Sequence, residues 1–152
     1  MDAPDPIDVI HDQIIRFSRN ARMWQHEMYG ELSFVAYAVL TFVAASECAH
    51  AADLAAAYGL DKSTVSRQIG ELVGRELLER SPDPRHARMQ RLEVTTQGKR
   101  VLRAIRRRQR RGLAESLAGW PPEDIETFST LFARFVYHLD AATHEATTNP
   151  TH

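Results

Sequence analysis

The 152-residue chain is poor in cysteine and in long apolar runs. Its single cysteine, Cys48, cannot form an intramolecular disulfide, and such usage is typical of a reducing cytoplasm. The longest apolar stretch, residues 34–45, contains Thr41 and is shorter than the roughly 20 residues that span a bilayer. No basic-then-apolar leader follows Met1, so no export signal is expected. We therefore predict a cytoplasmic protein with no membrane partner.

The motifs of enzymes and of metal sites are also missing. The chain has no glycine-rich phosphate loop and no nucleophile in a recognisable setting. No two histidines have the i, i+4 spacing of a zinc-binding helix, and Cys48 with His50 does not match a metal motif. We predict neither an enzyme nor a cofactor nor metal ligands. A metal- or redox-sensing regulator stays as an alternative.

Charge is distributed unevenly along the chain. The formal net charge is −1, from 19 Lys+Arg and 20 Asp+Glu. Residues 62–111, however, hold 15 Lys+Arg against 5 Asp+Glu, a local +10, and the remainder carries −11. A concentrated positive field is what contacts with nucleic-acid phosphates require. This segment is therefore the candidate for binding nucleic acid.

Residues 52–69 predict two short helices joined by a tight turn. Gly59 can adopt the positive φ that such a turn needs, and Asp61 can cap the second helix. The second helix leaves hydrogen-bonding side chains near its N-terminus, namely Lys62, Ser63, Thr64, Ser66, Arg67 and Gln68. This arrangement is typical of a helix that reads the major groove. An ordinary helical hairpin with a solvated face is the alternative.

The following segment predicts a β-hairpin. Residues 77–80 and 89–94 alternate apolar and charged side chains, as half-buried strands do. Pro82 and Pro84 exclude a helix between them. A helix-turn-helix followed by a basic hairpin is a winged helix, whose tip could place Arg85 and Arg88 in a minor groove.

Together these segments resemble the MarR family of bacterial transcription regulators over nearly the whole chain. The resemblance is carried by Leu54-Ala55, Gly59 to Arg67, Arg80 to Pro84 and Leu92 to Gly98. It implies a mainly α fold with a small β-hairpin wing, in which a winged helix-turn-helix domain is joined to a helical dimerisation region. The family's wing usually carries an Asp-x-Arg triplet, which here reads His86-Ala87-Arg88. The arginine is kept, and the acid expected to orient it is replaced.

The outer helices predict contacts with a second copy of the chain. The first has a heptad seam, with steps of three and four, at Ile7, Ile10, Ile14, Phe17, Ala21, Trp24 and Met28. The last, which opens at Pro122 or Glu123, has an apolar face of Ile125, Phe128, Leu131, Phe132, Phe135, Val136 and Leu139. In the family, such helices of two protomers interlock. Packing of both helices on their own core is the alternative.

The domain organisation follows from these elements. We predict one MarR-type unit over residues 1–143 and a disordered polar tail over residues 144–152. Within the unit, dimerisation helices occupy 7–28 and 97–143, and the winged helix-turn-helix occupies 31–96. Residues 34–45 are expected to form a central helix that is buried all round.

An arginine-rich run extends over residues 99–111 of a long helix predicted from Thr96 to Ala118. Its simplest interpretation is a solvated helix face with ion pairs. A basic ridge that attracts phosphate is the other interpretation, and it applies best to Lys99 and Arg100, which lie nearest the wing.

The family resemblance also implies an effector pocket where the first, second and fifth helices meet. Residues able to line it are His11, Arg16, Trp24, Tyr29, Phe34 and Tyr37. Aromatic walls with a cation suit a small aromatic acid. A purely structural role for Trp24 and Phe34 in the core is the alternative.

The sequence thus predicts a homodimeric regulator that binds a palindromic operator in double-stranded DNA. It is expected to act as a repressor that a small molecule releases. A winged-helix module that binds protein or RNA is the second hypothesis, and the exposed polar groups of the second helix favour the first.

Overall fold

The computed structural model describes residues 4–148, except for the side chains of residues 22, 86–88 and 142–148. Contacts divide the chain into two compact units, residues 1–110 and 111–152. The helices are α1 Pro6–Met23, α2 Gln25–Tyr29, α3 Phe34–Ala45, α4 Ala51–Tyr58, α5 Lys62–Gly74, α6 Thr96–Ser116 and α7 Pro122–Thr148. The strands are β1 Leu78–Asp83 and β2 His86–Val94.

The predicted helix-turn-helix is formed by α4 and α5. Gly59 ends α4 in the left-handed region, with φ 58 and ψ 32, where a side chain would be strained. Asp61 caps α5, because its carboxylate accepts the amide N–H of Thr64 at 2.8 Å. Leu54 of α4 and Val65 of α5 are buried, so the two helices share one core.

The wing is a two-stranded antiparallel hairpin, which confirms the predicted fold class. Leu78 pairs with Val94, and the register continues to Pro82 opposite Gln90, where a bulge leaves Asp83 opposite His86. The backbone of Ala49 adds a short bridge, since the amide of Leu92 donates to its carbonyl at 2.9 Å. This bridge fixes the segment before α4 against the wing.

The core of the first unit centres on α3. Ala36, Val39, Leu40 and Val43 are buried there. The prediction of a helix buried all round was too strong, because Phe34 is 55% exposed and one side of α3 faces solvent.

The only segment of the described residues that is long and apolar enough for a membrane span covers Gln25–Ala45. Gly30 to Ser33 interrupts it between α2 and α3. The remaining helix, α3, has 12 residues. At 1.5 Å per residue it extends only about 18 Å, and its apolar side chains form the core.

The helix predicted over residues 7–28 is divided into α1 and α2. Trp24 has φ −88 and ψ 3, outside the helical range. Backbone hydrogen bonds from Trp24 to Asn20 and from Met28 to Trp24 continue on either side. The heptad spacing in the sequence does not reveal this break, because a change in the ψ angle of one residue does not alter the sequence positions of the apolar residues.

The disordered tail predicted over residues 144–152 was wrong for its first part, because α7 continues to Thr148. No proline or glycine lies between Pro122 and Pro150, and alanines recur near the end of the helix, so the polar composition there does not stop helix formation. Residues 149–152 lie outside the described residues.

The start of α6 is anchored by a cap and a close backbone approach. Thr95 Oγ1 accepts the amide N–H of Gly98 at 2.9 Å and donates to the carbonyl of Glu76 at 2.6 Å. A Cβ on Gly98 would lie 2.2 Å from the carbonyl oxygen of Leu77. Only glycine therefore fits this contact with the residue before the wing.

The second unit has an aromatic cluster at the start of α7. The rings of Trp120 and Phe128 meet edge to face at 5.8 Å, and Phe128 stacks on Phe132 at 5.6 Å. This packing leaves Phe132 51% exposed and Leu139 52% exposed. The apolar face predicted for the last helix is thus exposed within the chain.

Candidate nucleic-acid interface

The first turn of α5 is built around the Asp61 carboxylate. The hydroxyl of Thr64 donates to it at 2.6 Å, and the hydroxyl of Ser63 donates to its other oxygen. These hydrogen bonds hold the pKa of Asp61 well below its usual range, with Ser63 the largest cause. Ser63 and Thr64, both predicted as DNA contacts, therefore use their hydroxyl protons in the cap and keep only acceptor capacity for a base or phosphate.

Three of the other predicted side chains on α5 extend into solvent. Lys62, Ser66 and Arg67 are exposed. Their side chains make none of the hydrogen bonds or ion pairs found among the described residues. Gln68 is half-buried, and its Oε1 lies 3.4 Å from the hydroxyl of Ser33. The exposed side-chain donors on the first two turns of α5 are thus chiefly Lys62, Ser66 and Arg67.

The wing turn is fixed by Asp83. Its Oδ1 accepts the amide N–H of Arg85 at 2.7 Å, and the side chain of Arg85 is exposed. The side chains of His86 and Arg88 lie outside the described residues, so their role in the wing stays a prediction.

The basic residues of α6 provide an extended exposed cationic surface. Lys99 and Arg100 are exposed near the start of α6, and Arg103, Arg106 and Arg107 are exposed farther along the helix. Farther along, the guanidinium of Arg108 lies 3.5 Å from the carbonyl of Glu27. The arginine run is therefore mainly a solvated face, with one contact to α2.

The predicted effector residues are only partly brought together. Tyr29 contacts Phe34 at 5.8 Å and Tyr37 at 5.0 Å between ring centroids. Burial raises the pKa of the Tyr29 hydroxyl, with a smaller effect of Tyr37. His11 and Arg16 are exposed on α1. Among the described residues, no hydrogen bond, ion pair or ring contact joins these two to the aromatic cluster.

Trp24, the remaining predicted effector residue, lies between α1 and α2 and is 47% exposed. A shallow cleft beside it is lined by Met23, Gln25, His26, Gly30, Glu31, Leu32 and Ser33, and by none of the predicted effector residues.

Sequence reasoning missed a polar cluster at the base of the wing. The Nε2 atom of His50 lies 2.7 Å from Oδ2 of Asp83, and Sγ of Cys48 lies 3.7 Å from each of these atoms. Asp83 is buried, with 3% of its surface exposed. His50 and Asp83 are separated by 33 positions in the sequence, and no local motif predicts the bridge that joins Ala49 to the wing, so the sequence did not reveal the cluster.

The electrostatics of this cluster follow from its hydrogen bonds. The amide of Arg85, and then the imidazole of His50, lower the pKa of Asp83 to about 2. The hydrogen bond to Asp83 raises the pKa of His50, assisted by Asp53 at 3.2 Å from Nδ1. Burial, followed by the charge of Asp83, raises the pKa of the Cys48 thiol.

Comparison with known proteins gives a family match over part of the chain. A sequence model described as the MarR family matches residues 31–89, which include α3, the helix-turn-helix and most of the wing. Over this part of its length the chain is similar to the MarR family. Proteins of this family are transcription regulators, so the similarity supports the predicted regulator and not an enzyme.

Similarity to individual proteins extends over nearly the full chain. The uncharacterised HTH-type transcriptional regulator YxaD of Bacillus subtilis is 28% identical over 136 residues, covering 88% of this chain and 95% of YxaD. The PcaV transcriptional regulator of Streptomyces coelicolor, solved with its natural ligand, has a TM-score of 0.65 at 27% identity and covers 93% of this chain and 99% of PcaV. The RV1404 protein of Mycobacterium tuberculosis shares the fold, with a TM-score of 0.75 at 23% identity and coverage of 90% and 97%.

Proposed function

We propose that this protein is a MarR-type regulator, a homodimeric, sequence-specific DNA-binding repressor that acts in the cytoplasm. In each protomer, α5 would enter a major groove and the hairpin wing would reach the adjacent minor groove. The observation that carries the proposal is the exposed surface of the first two turns of α5, where Lys62, Ser66 and Arg67 extend from a helix that buries Val65, Ile69 and Leu72.

Charge supports the same assignment. The +10 segment from residue 62 to residue 111 begins at the first residue of α5 and includes the wing and most of α6. Lys99 and Arg100 would contact phosphates, which position a protein on a duplex without reading its sequence. Arg67 would read a base edge, because arginine donates two parallel hydrogen bonds to guanine.

Dimerisation is supported by two exposed apolar faces. On α1, Ile7 is 70% exposed and Phe17 is 64% exposed, and the face of α7 described above is half-exposed. Large apolar side chains in this number are typical of a surface that another chain covers. Two copies would present two α5 helices, which matches a palindromic operator.

Release by a small molecule is supported by the aromatic cluster of Tyr29, Phe34 and Tyr37. PcaV, which is similar over most of its length, was solved with its natural ligand. A small aromatic acid would suit these rings. His11 and Arg16, the predicted cations, lie exposed on α1, and among the described residues neither contacts these rings.

Selection from a pool of random duplexes with the purified full chain tests the proposal. Enrichment of one palindromic sequence that outcompetes bulk DNA is the expected result. Uniform recovery of all sequences, or preferential binding of RNA, would instead support the alternative of a winged-helix module that binds RNA or protein through its basic face.

A further inference from the structure

We propose that Cys48, His50 and Asp83 form a binding site for a divalent metal ion of the zinc class at the base of the wing. The three donor atoms, Sγ, Nε2 and Oδ2, all lie within 4.8 Å of one another. They come from two segments, the stretch before α4 and the end of β1. The proposal goes beyond DNA binding and is tested without DNA.

The distances fit one tetrahedral ion. Typical zinc bonds place sulfur about 3.5 Å from a nitrogen or oxygen ligand, and nitrogen about 3.3 Å from oxygen. Sγ of Cys48 lies 3.7 Å from Nε2 of His50 and 3.7 Å from Oδ2 of Asp83. The remaining distance between donor atoms, 2.7 Å from Nε2 of His50 to Oδ2 of Asp83, is that of a hydrogen bond. It must lengthen by about half an ångström for the ion to bind both atoms.

The surroundings of the site orient its ligands. Nδ1 of His50 faces the Asp53 carboxylate at 3.2 Å, the kind of contact that fixes the tautomer of a metal-bound histidine. Oδ1 of Asp83 is occupied by the amide of Arg85, so Oδ2 is the oxygen left for an ion. Cys48 and His50 keep partial exposure, through which an ion and a water as fourth ligand can enter.

The donor set selects the class of ion. One thiolate, one imidazole and one carboxylate suit zinc and cobalt better than magnesium or calcium, which prefer oxygen ligands. On binding, the thiol proton of Cys48 and the Nε2 proton of His50 leave to solvent, and the metal forms bonds to both atoms. The ion would thereby join the start of α4 to the wing.

Cobalt titration of the metal-free, reduced full chain tests the site. The wild type should bind one Co²⁺ per chain, with a thiolate-to-cobalt charge-transfer band and the strong visible bands of four-coordinate cobalt, and Zn²⁺ should displace it. Cys48→Ser should lose the charge-transfer band, and His50→Gln should weaken binding by at least about tenfold.

The matched control is His11→Gln. His11 also faces a carboxylate, that of Asp12 at 3.6 Å, but no thiol is part of that pair. This variant should keep the wild-type spectrum and affinity. Far-ultraviolet circular dichroism checks that both site variants fold. Absence of the charge-transfer band in the wild type, or its survival in Cys48→Ser, overturns the proposal and leaves the one for DNA binding untouched.

Discussion

The carboxylate of Asp61 accepts both the amide N–H of Thr64 at 2.8 Å and its hydroxyl at 2.6 Å, so one residue caps the helix that carries the candidate DNA contacts. Asp61→Ala removes this acceptor and should lower the melting temperature of the protein and weaken its binding to DNA, because the first turn of α5 frays. Thermal denaturation and binding isotherms measure the two effects.

The same cap predicts a pH dependence. The folded-state pKa of Asp61 is lowered, so its contribution to stability is fully present above the ordinary pKa of an aspartate and is lost as the pH falls through the acid range. Asp61→Asn keeps an acceptor and should show a shallower loss of stability between about pH 5 and pH 3. Parallel acid profiles of the wild type and Asp61→Asn would contradict the role assigned to this carboxylate.

The two classes of DNA contact are separated by a pair of arginines. Arg67→Ala should weaken binding to the selected operator by about 1–3 kcal/mol and relax its base preference, because a base-reading side chain is lost. Arg100→Ala should weaken binding to all duplexes similarly. It should also reduce the slope of the logarithm of the binding constant against the logarithm of the salt concentration by about one. Isotherms on operator and scrambled duplexes at several salt concentrations measure both.

An Arg67→Ala protein that retains the wild-type affinity and preference would falsify the role of α5 in base reading. Near-ultraviolet and far-ultraviolet circular dichroism provide the folding control for both variants. Arg67 is exposed on α5, and Arg100 is exposed on α6, so neither truncation removes core packing.

The close approach at Gly98 predicts a cost for a single methyl group. Gly98→Ala should destabilise the fold by about 1–3 kcal/mol, because the Leu77 carbonyl and the Val94 side chain must shift. Gly70→Ala is the matched control, since nothing lies within 4 Å of its added Cβ on α5. That substitution should stabilise the helix by about 0.5–1 kcal/mol. Denaturant unfolding gives both values, and equal effects of the two substitutions would refute the packing argument.

The exposed faces of α1 and α7 predict a homodimer before any DNA is added. Light scattering should give twice the chain mass of 17.2 kDa at micromolar concentration. A charge at Ile14 or Phe132, as in Ile14→Glu or Phe132→Glu, should shift the protein toward monomer. Met89→Glu, an equally drastic change at a half-exposed apolar residue of the wing, should not. A monomeric wild type contradicts the proposed assembly.

Local signals made the helix-turn-helix and the wing predictable. Gly59, Asp61 and the paired prolines of the hairpin each determine backbone geometry within a few residues, and the structure has a turn, a cap and a hairpin at these places. The cluster of Cys48, His50 and Asp83 could not be found in this way, because it depends on a long-range bridge. The use of the Ser63 and Thr64 hydroxyls also escaped prediction, since an exposed hydroxyl and a capping hydroxyl look the same in a sequence.

Footprinting of the purified full chain on its selected duplex tests directly whether two α5 helices read one palindrome. Two protected major-groove patches are expected, symmetric about one centre and about 10 base pairs apart. Arg67→Ala should lose protection at the same base in both patches. A single patch, or protection of the backbone with no base affected by Arg67→Ala, would contradict this mode of binding.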